Sequence, residues 1–177
     1  MELSIPANKI DIRNIYFMEK KKNVIVDGEF VKILYSTPEF EMNGLYIFSE
    51  FGQLLQRPRF DGSSKKTTQP HSPHQHQKKY IVFNPSTAEN SNIINLLCQI
   101  ESGIIFRYIQ NNCPSKIASY TLKTQLINGI IKYHSENRMT NSGDHPGQQK
   151  ERIILKIAGI WETTTHIGIT MKFISLV

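Results

Sequence analysis

The chain has 177 residues, 39% of them hydrophobic and 20% charged, which suits one folded domain and is tight for two. No apolar run approaches the ~18 residues of a membrane helix, Met1-Glu2-Leu3-Ser4-Ile5-Pro6 lacks the regions of a signal peptide, and Cys98 and Cys113 form no CxxC pair or disulfide framework. An intracellular, reducing setting is the expectation. The net charge of +6 is concentrated: from Arg57 to Lys79 six basic residues stand against one acid, Asp61, while the remainder has 15 bases and 14 acids. Such a segment suits a polyanion, and without a basic amphipathic helix nucleic acid is expected rather than a membrane.

In chain order the first third predicts a β-meander. Ile12 to Met18 is a short run ending in the charged turn Glu19–Asn23. Val24-Ile-Val26 precedes Asp27-Gly28, the dipeptide of a type I′ hairpin turn, because both central positions need positive φ. Phe30 to Ser36 alternates, with Val31, Ile33 and Tyr35 on one face and Phe30, Lys32 and Leu34 on the other. A further run covers Gly44–Phe48. From Asp61 to Lys79 no aliphatic or aromatic side chain occurs, which predicts a disordered loop, and Tyr80–Phe83 follows as a compact strand.

Ser86 with Glu89 three residues on is a capping box, and Ile93, Leu97, Ile100, Ile104 and Tyr108 lie on one helical face. Asn111-Asn112 and Pro114 stop this central helix. Tyr120, Leu122, Thr124 and Leu126 alternate as a strand, and Asn128-Gly129 predicts a second hairpin turn into Ile130–His134. Residues 135–150 form another polar loop. The final hairpin joins Arg152–Trp161 to His166–Ile174 through Glu162–Thr165, with the odd-numbered residues the more apolar set in both runs. Pairing odd with odd, for instance Trp161 opposite Ile167, sets Lys156 directly across from Lys172, an unfavourable like-charge pair that an anion would relieve.

Chemistry for an enzyme is sparse. His71, His74 and His76 have the spacing of a cation site but sit in a Pro/Gln/Ser loop without Cys, so a compositional origin is expected and no metal or cofactor. Asp27 and Glu29 belong to a turn, Asp144-His145 lies in the second loop, and no cluster activates Cys98 or Cys113. No phosphate-binding glycine loop is present, and a metal-dependent nuclease lacks its acidic cluster. What remains is aromatic residues interleaved with basic ones: Lys32 and Tyr35; Tyr46 and Phe48; Arg57, Arg59 and Phe60; Lys65 and Lys66; Lys78, Lys79 and Tyr80; Lys132 and Tyr133; Lys156 and Trp161. Cations that track a backbone and rings that stack on bases hold single-stranded nucleic acid. Phe17, Phe83, Trp161 and Phe173, with apolar neighbours, are expected in the core.

Leu155-Lys-Ile-Ala-Gly-Ile-Trp-Glu162, then Ile167-Gly-Ile-Thr-Met-Lys-Phe173, resembles the end of single-stranded DNA-binding proteins of large nucleocytoplasmic DNA viruses. Tyr120-x-Leu-x-x-Gln-Leu126 followed by Gly129-Ile-Ile-Lys132 is similar as well. The resemblance covers about a third of the chain. It implies an OB-fold related to phage-type proteins of that class, strand coating without catalysis at viral replication sites in host cytoplasm or nucleus, and binding roles for Lys123, Lys132, Lys156 and Lys172. The acidic tail of the phage-type proteins has no counterpart here, since no acid follows Glu162.

The expectation is one mainly β domain over 1–177 with one central helix, an OB-fold-like Greek-key barrel with extra strands, or else an α+β sandwich. The expected partner is single-stranded DNA, with replication proteins and self-association as further partners. Two other readings stand beside it: an RNA-binding module, and an assembly protein whose Gly44–Phe48 or terminal strand is an open edge.

Overall fold

The computed structural model describes residues 4–25, 27–55, 79–112, 115–134 and 150–175. Along the chain run β1 (Ile5–Pro6), two 3₁₀ turns (Ala7–Lys9 and Ile12–Asn14), β2 (Ile15–Lys22), β3 (Glu29–Ser36), β4 (Glu41–Asn43) and β5 (Leu45–Phe51). Then come β6 (Lys79–Val82), α1 (Ala88–Asn112), β7 (Ile117–Ser119), α2 (Thr121–Ile127), β8 (Ile130–His134), β9 (Glu151–Glu162) and β10 (His166–Ser175). The fold is mainly β, a mixed ten-stranded sheet with two α-helices among the described residues. The loop expectations over 61–79 and 135–150 fall almost wholly outside those residues.

The long β9–β10 hairpin is the spine. One edge of β9 pairs with β5 through residues 151–157 and with β3 through 159–162; its other edge carries β10. Beyond β10 lie β8 and β7, both parallel to it, and β6 pairs antiparallel with β8. Leu54, just past β5, bridges Phe83, just past β6, and Leu55 N donates to Val82 O at 2.8 Å. The pairings β5–β9–β10–β8–β6 therefore return to β5. Of the two strands considered as open edges, β5 is paired with β9 and, at Ile47 and Phe48, with β1, and β10 is paired with β9 and, at its two ends, with β7 and β8.

Inside this curl the alternating positions Leu45, Ile47, Phe51, Ile131, Leu155, Ile157 and Phe173 meet Leu97, Ile104 and Ile105 of α1 and Leu122 and Leu126 of α2 in one buried cluster. The predicted helical face is the buried one, though Ile94 rather than Ile93 is its first buried apolar residue. The expected Ser86–Glu89 box does not form: Thr87 Oγ1 accepts from Asn90 N at 3.2 Å, one residue later. The Asn90 side chain is then free to clamp Gly52, accepting from its N–H (3.0 Å) and donating to its carbonyl (2.9 Å), so the start of α1 is pinned where the ring closes.

Three local expectations are corrected. The run Glu19–Lys22 is strand rather than turn, and Asn23, just past it, donates its N–H to Gly28 O at 2.9 Å just before β3. Residues 121–127, expected as a strand, are α2. Its N-cap, Tyr120, makes no side-chain cap bond. Instead the buried Glu101 carboxylate reaches across from α1 and accepts Leu122 N and Lys123 N, both at 2.9 Å. Asn128-Gly129 is then not a hairpin turn but the helix exit, with Gly129 at φ +65° donating its N–H to Leu126 O.

The third correction concerns the spine. Lys156 does pair with Lys172, but Trp161 pairs with Gly168, not Ile167. The register shifts by one between Thr170 and Met171: Thr170 faces Gly159 and Met171 faces Ile157, leaving Ala158 as the extra residue of a β-bulge. Beyond it the faces exchange. Ile160 and Glu162 point into the protein, and Trp161, expected in the core, is half-exposed on the outer face.

Candidate nucleic-acid interface

Register alone assembles a row of outer-face residues. Tyr46 pairs with Lys156 and Lys156 with Lys172. β8 runs parallel to β10 with Tyr133 beside Phe173, and the same register carried back one residue sets Lys132 beside Lys172. Lys132 in turn pairs with Tyr80. The row is thus Tyr46, Lys156, Lys172, Lys132, Tyr80, three cations between two rings. Strands lie about 4.8 Å apart, so it runs roughly 20 Å around the outside of the ring, one residue on each strand. Lys172, Lys132 and Tyr80 are exposed, and Tyr46 and Lys156 are half-buried because the Lys156 ammonium lies over the Tyr46 ring, 4.7 Å from its centroid.

Neighbouring rows extend the face. On one side of the row Phe48 pairs with Ile154, itself only 2% exposed, so the surface is covered there, and Glu50 pairs with Arg152 beyond it, joined by an ion pair of 3.1 Å. On the other side Lys32 pairs with Gly159 and Phe30 with Trp161. The sheet therefore collects Lys32, Tyr46, Phe48, Tyr80, Lys132, Lys156 and Lys172 from the residues singled out in the sequence. Two others are corrected. Tyr35 and Tyr133 occupy inward positions of β3 and β8 and are 2% and 5% exposed, so neither ring can reach a base. Lys123 belongs to the helix layer, exposed on α2 beside a groove of about 380 Å³ lined by Ile94, Asn95, Cys98, Gln99, Ser102 and Ile127. Burial pushes the Cys98 thiol above its ordinary range, the reverse of an activated nucleophile. Lys79 pairs with Tyr133 in β6. Arg57, Arg59, Phe60, Lys65, Lys66 and Lys78 lie outside the described residues, as do His71, His74, His76, Asp144, His145 and Cys113.

Sequence reasoning missed the buried ion cluster behind the face. The Glu162 side chain is fully buried, paired with Lys20 of β2 and with Lys116 Nζ at 2.9 Å, and Tyr108 donates to it at 3.4 Å. Hydrogen bonding to Glu162 raises the Lys20 pKa above its ordinary value despite partial burial. It also missed Phe30 and Trp161 as surface rings. The available signal was Gly159 and Gly168 within strand patterns, which mark bulges and close approach.

Among the described residues no helix is long and apolar enough to cross a membrane, and no group of three or more His, Cys, Asp or Glu side chains could hold a metal ion. Set against family models, curated proteins and solved structures, the chain matches none of them.

Proposed function

We propose that the chain is a non-enzymatic, largely sequence-independent single-stranded DNA-binding protein of OB type, which coats and protects unpaired strands during replication and recombination. The observation that carries this is the outer-face row Tyr46–Lys156–Lys172–Lys132–Tyr80. Cations in that row neutralise phosphates and the flanking rings offer faces to bases. The like-charge pair Lys156–Lys172 costs the free protein something, and a bridging phosphate turns that cost into a contact.

Topology supports the OB reading. Taken in chain order, β5, β6, β8, β9 and β10 are ring strands one to five, arranged 1-2-3-5-4 and back to 1, with only the third and fifth parallel. That is the order of a five-stranded Greek-key barrel, whose second and third strands and first connecting loop contact oligonucleotides. Here those strands are β6 and β8, which supply Tyr80 and Lys132. The first connection is the segment that carries Arg57, Arg59, Lys65, Lys66 and Lys78. One departure is that α1 enters between the second and third ring strands.

The test is a polarisation titration of labelled oligo-dT and of duplex DNA at two salt concentrations. The expected result is preference for oligo-dT and an affinity that falls steeply with salt. Equal binding to duplex, or a flat salt response, overturns the proposal. Competition with single-stranded RNA of equal length separates the RNA reading, since 2′-hydroxyl contacts would favour RNA.

A further inference from the structure

Residues 161 and 162 stand the wrong way round for hydrophobicity. Without the bulge at Ala158, Trp161 would continue the buried series Ile153, Leu155, Ile157, and Glu162 would point into water. The structure instead turns the tryptophan outward and takes the carboxylate inside, where it is neutralised by Lys20 and Lys116. Burying a carboxylate is costly even when paired, and exposing an indole forfeits burial. Local rules broken together in this way mark functional positions.

The outward side is shaped for flat rings. A Cβ on Gly168 would lie 2.7 Å from Trp161 Cζ2, and one on Gly159 would lie 2.2 Å from the Val31 carbonyl oxygen and 2.7 Å from Phe30 Cζ. Each glycine thus lets a ring rest directly on the sheet. Trp161 is held in place by Nε1 donating to Ile169 O at 3.2 Å. Both rings are half-exposed and stand outside the buried core cluster. Lys32 pairs with Gly159 and Lys21 with Phe30, so the Phe30 site has two cations in register beside it.

We propose that Trp161 and Phe30 form a stacking platform for unpaired nucleobases, which prolongs the lysine row toward β3 and is presented by the bulge and the buried Glu162 cluster. This rests on the single-strand-binding reading. Trp161 is the one tryptophan of the chain, so intrinsic emission reports on it alone. In a titration of the full chain with labelled oligo-dT, emission is expected to be quenched and to saturate together with polarisation. Trp161→Ala is expected to weaken binding roughly tenfold, and Trp161→Phe to restore most of it, since one lost stack is worth about that factor. Binding by polarisation with unchanged emission overturns this inference and leaves the function standing, as does wild-type affinity in a folded Trp161→Ala. Absence of oligo-dT binding by the wild type overturns both. If Trp161→Ala fails to fold, protection of the wild-type indole from acrylamide by oligo-dT decides instead: protection supports the platform and its absence overturns it.

Discussion

Lys156 and Lys172 are direct cross-strand partners in the central ladder, and the Lys156 ammonium is drawn aside over the Tyr46 ring, 4.7 Å from its centroid. A like-charge pair costs a few tenths of a kcal/mol, and a surface cation–π contact returns about as much. Lys172→Glu is therefore expected to leave the free protein as stable as wild type, or more stable by up to about 1 kcal/mol, in urea denaturation. The same change, combined with Lys156→Glu, is expected to abolish most oligo-dT binding at low salt. Lys172→Gln is expected to flatten the dependence of log K on log salt by about 0.7 if one phosphate contact is lost. Unchanged binding by the double variant refutes the lysine row as the contact surface.

The Glu162 cluster makes two measurable statements. Glu162→Ala takes the carboxylate from Lys116 and from Lys20, which keeps Glu29 at 3.1 Å, and because both lysines still reach water it is expected to cost about 1–3 kcal/mol. Lys20 titrates above its ordinary 10.5 in the folded protein, chiefly through the carboxylate beside it. A raised lysine pKa stabilises the fold below 10.5, and that contribution is lost as pH rises through the folded value. Wild type is thus expected to lose melting temperature more steeply than Lys20→Met only on the alkaline side. Parallel curves across that range contradict the pairing.

Glu101 caps a helix that does not cap itself. Glu101→Gln keeps one acceptor for the two N–H groups at 2.9 Å and presents an amide donor to the other. The expected loss is about 1–2 kcal/mol by chemical denaturation. Burial raises the Glu101 pKa above 4.5, against the lowering by the Leu122 and Lys123 N–H groups. The folded state therefore holds this proton more tightly than the unfolded chain. Wild-type stability relative to Glu101→Gln is expected to increase as pH falls through that raised value and to decline as pH rises through it.

Gly129 sits at φ +65°, and a Cβ there would lie 2.4 Å from the Phe83 carbonyl oxygen. Gly129→Ala is expected to destabilise by at least about 1 kcal/mol through backbone strain and that clash. The readout is the denaturation midpoint at unchanged slope. Wild-type stability in this variant would mean that the α2 exit is not built this way.

Much of the strand content was legible because period-two alternation follows directly from which side chains face water. That holds for Phe30–Ser36, Gly44–Phe48, Tyr80–Phe83 and the terminal hairpin. The central helix was equally plain from its 3.6-residue face. The failures have two causes. Residues 121–127 alternate like a strand, and only Glu101, some twenty positions earlier, supplies the acceptor that makes them a helix. Tyr35 and Tyr133 look like surface aromatics beside lysines, yet their parity with Val31 and Ile33 on β3 and with Ile131 on β8, visible in the strand itself, places them inside.

The amino-acid order by itself determined a mainly β chain with a long helix, concentrated positive charge and a Lys156–Lys172 pair across the last hairpin. It could do so because alternation, capping and charge are properties of neighbouring residues. Tertiary structure alone decided that Lys132 and Tyr80 join that pair in one row. It also decided that a single extra residue at Ala158 turns Trp161 outward and Glu162 inward. A bulge is set by what packs on both sides of a strand, here Lys20, Lys116 and Tyr108 within and Phe30 without, and no window of local sequence contains them all.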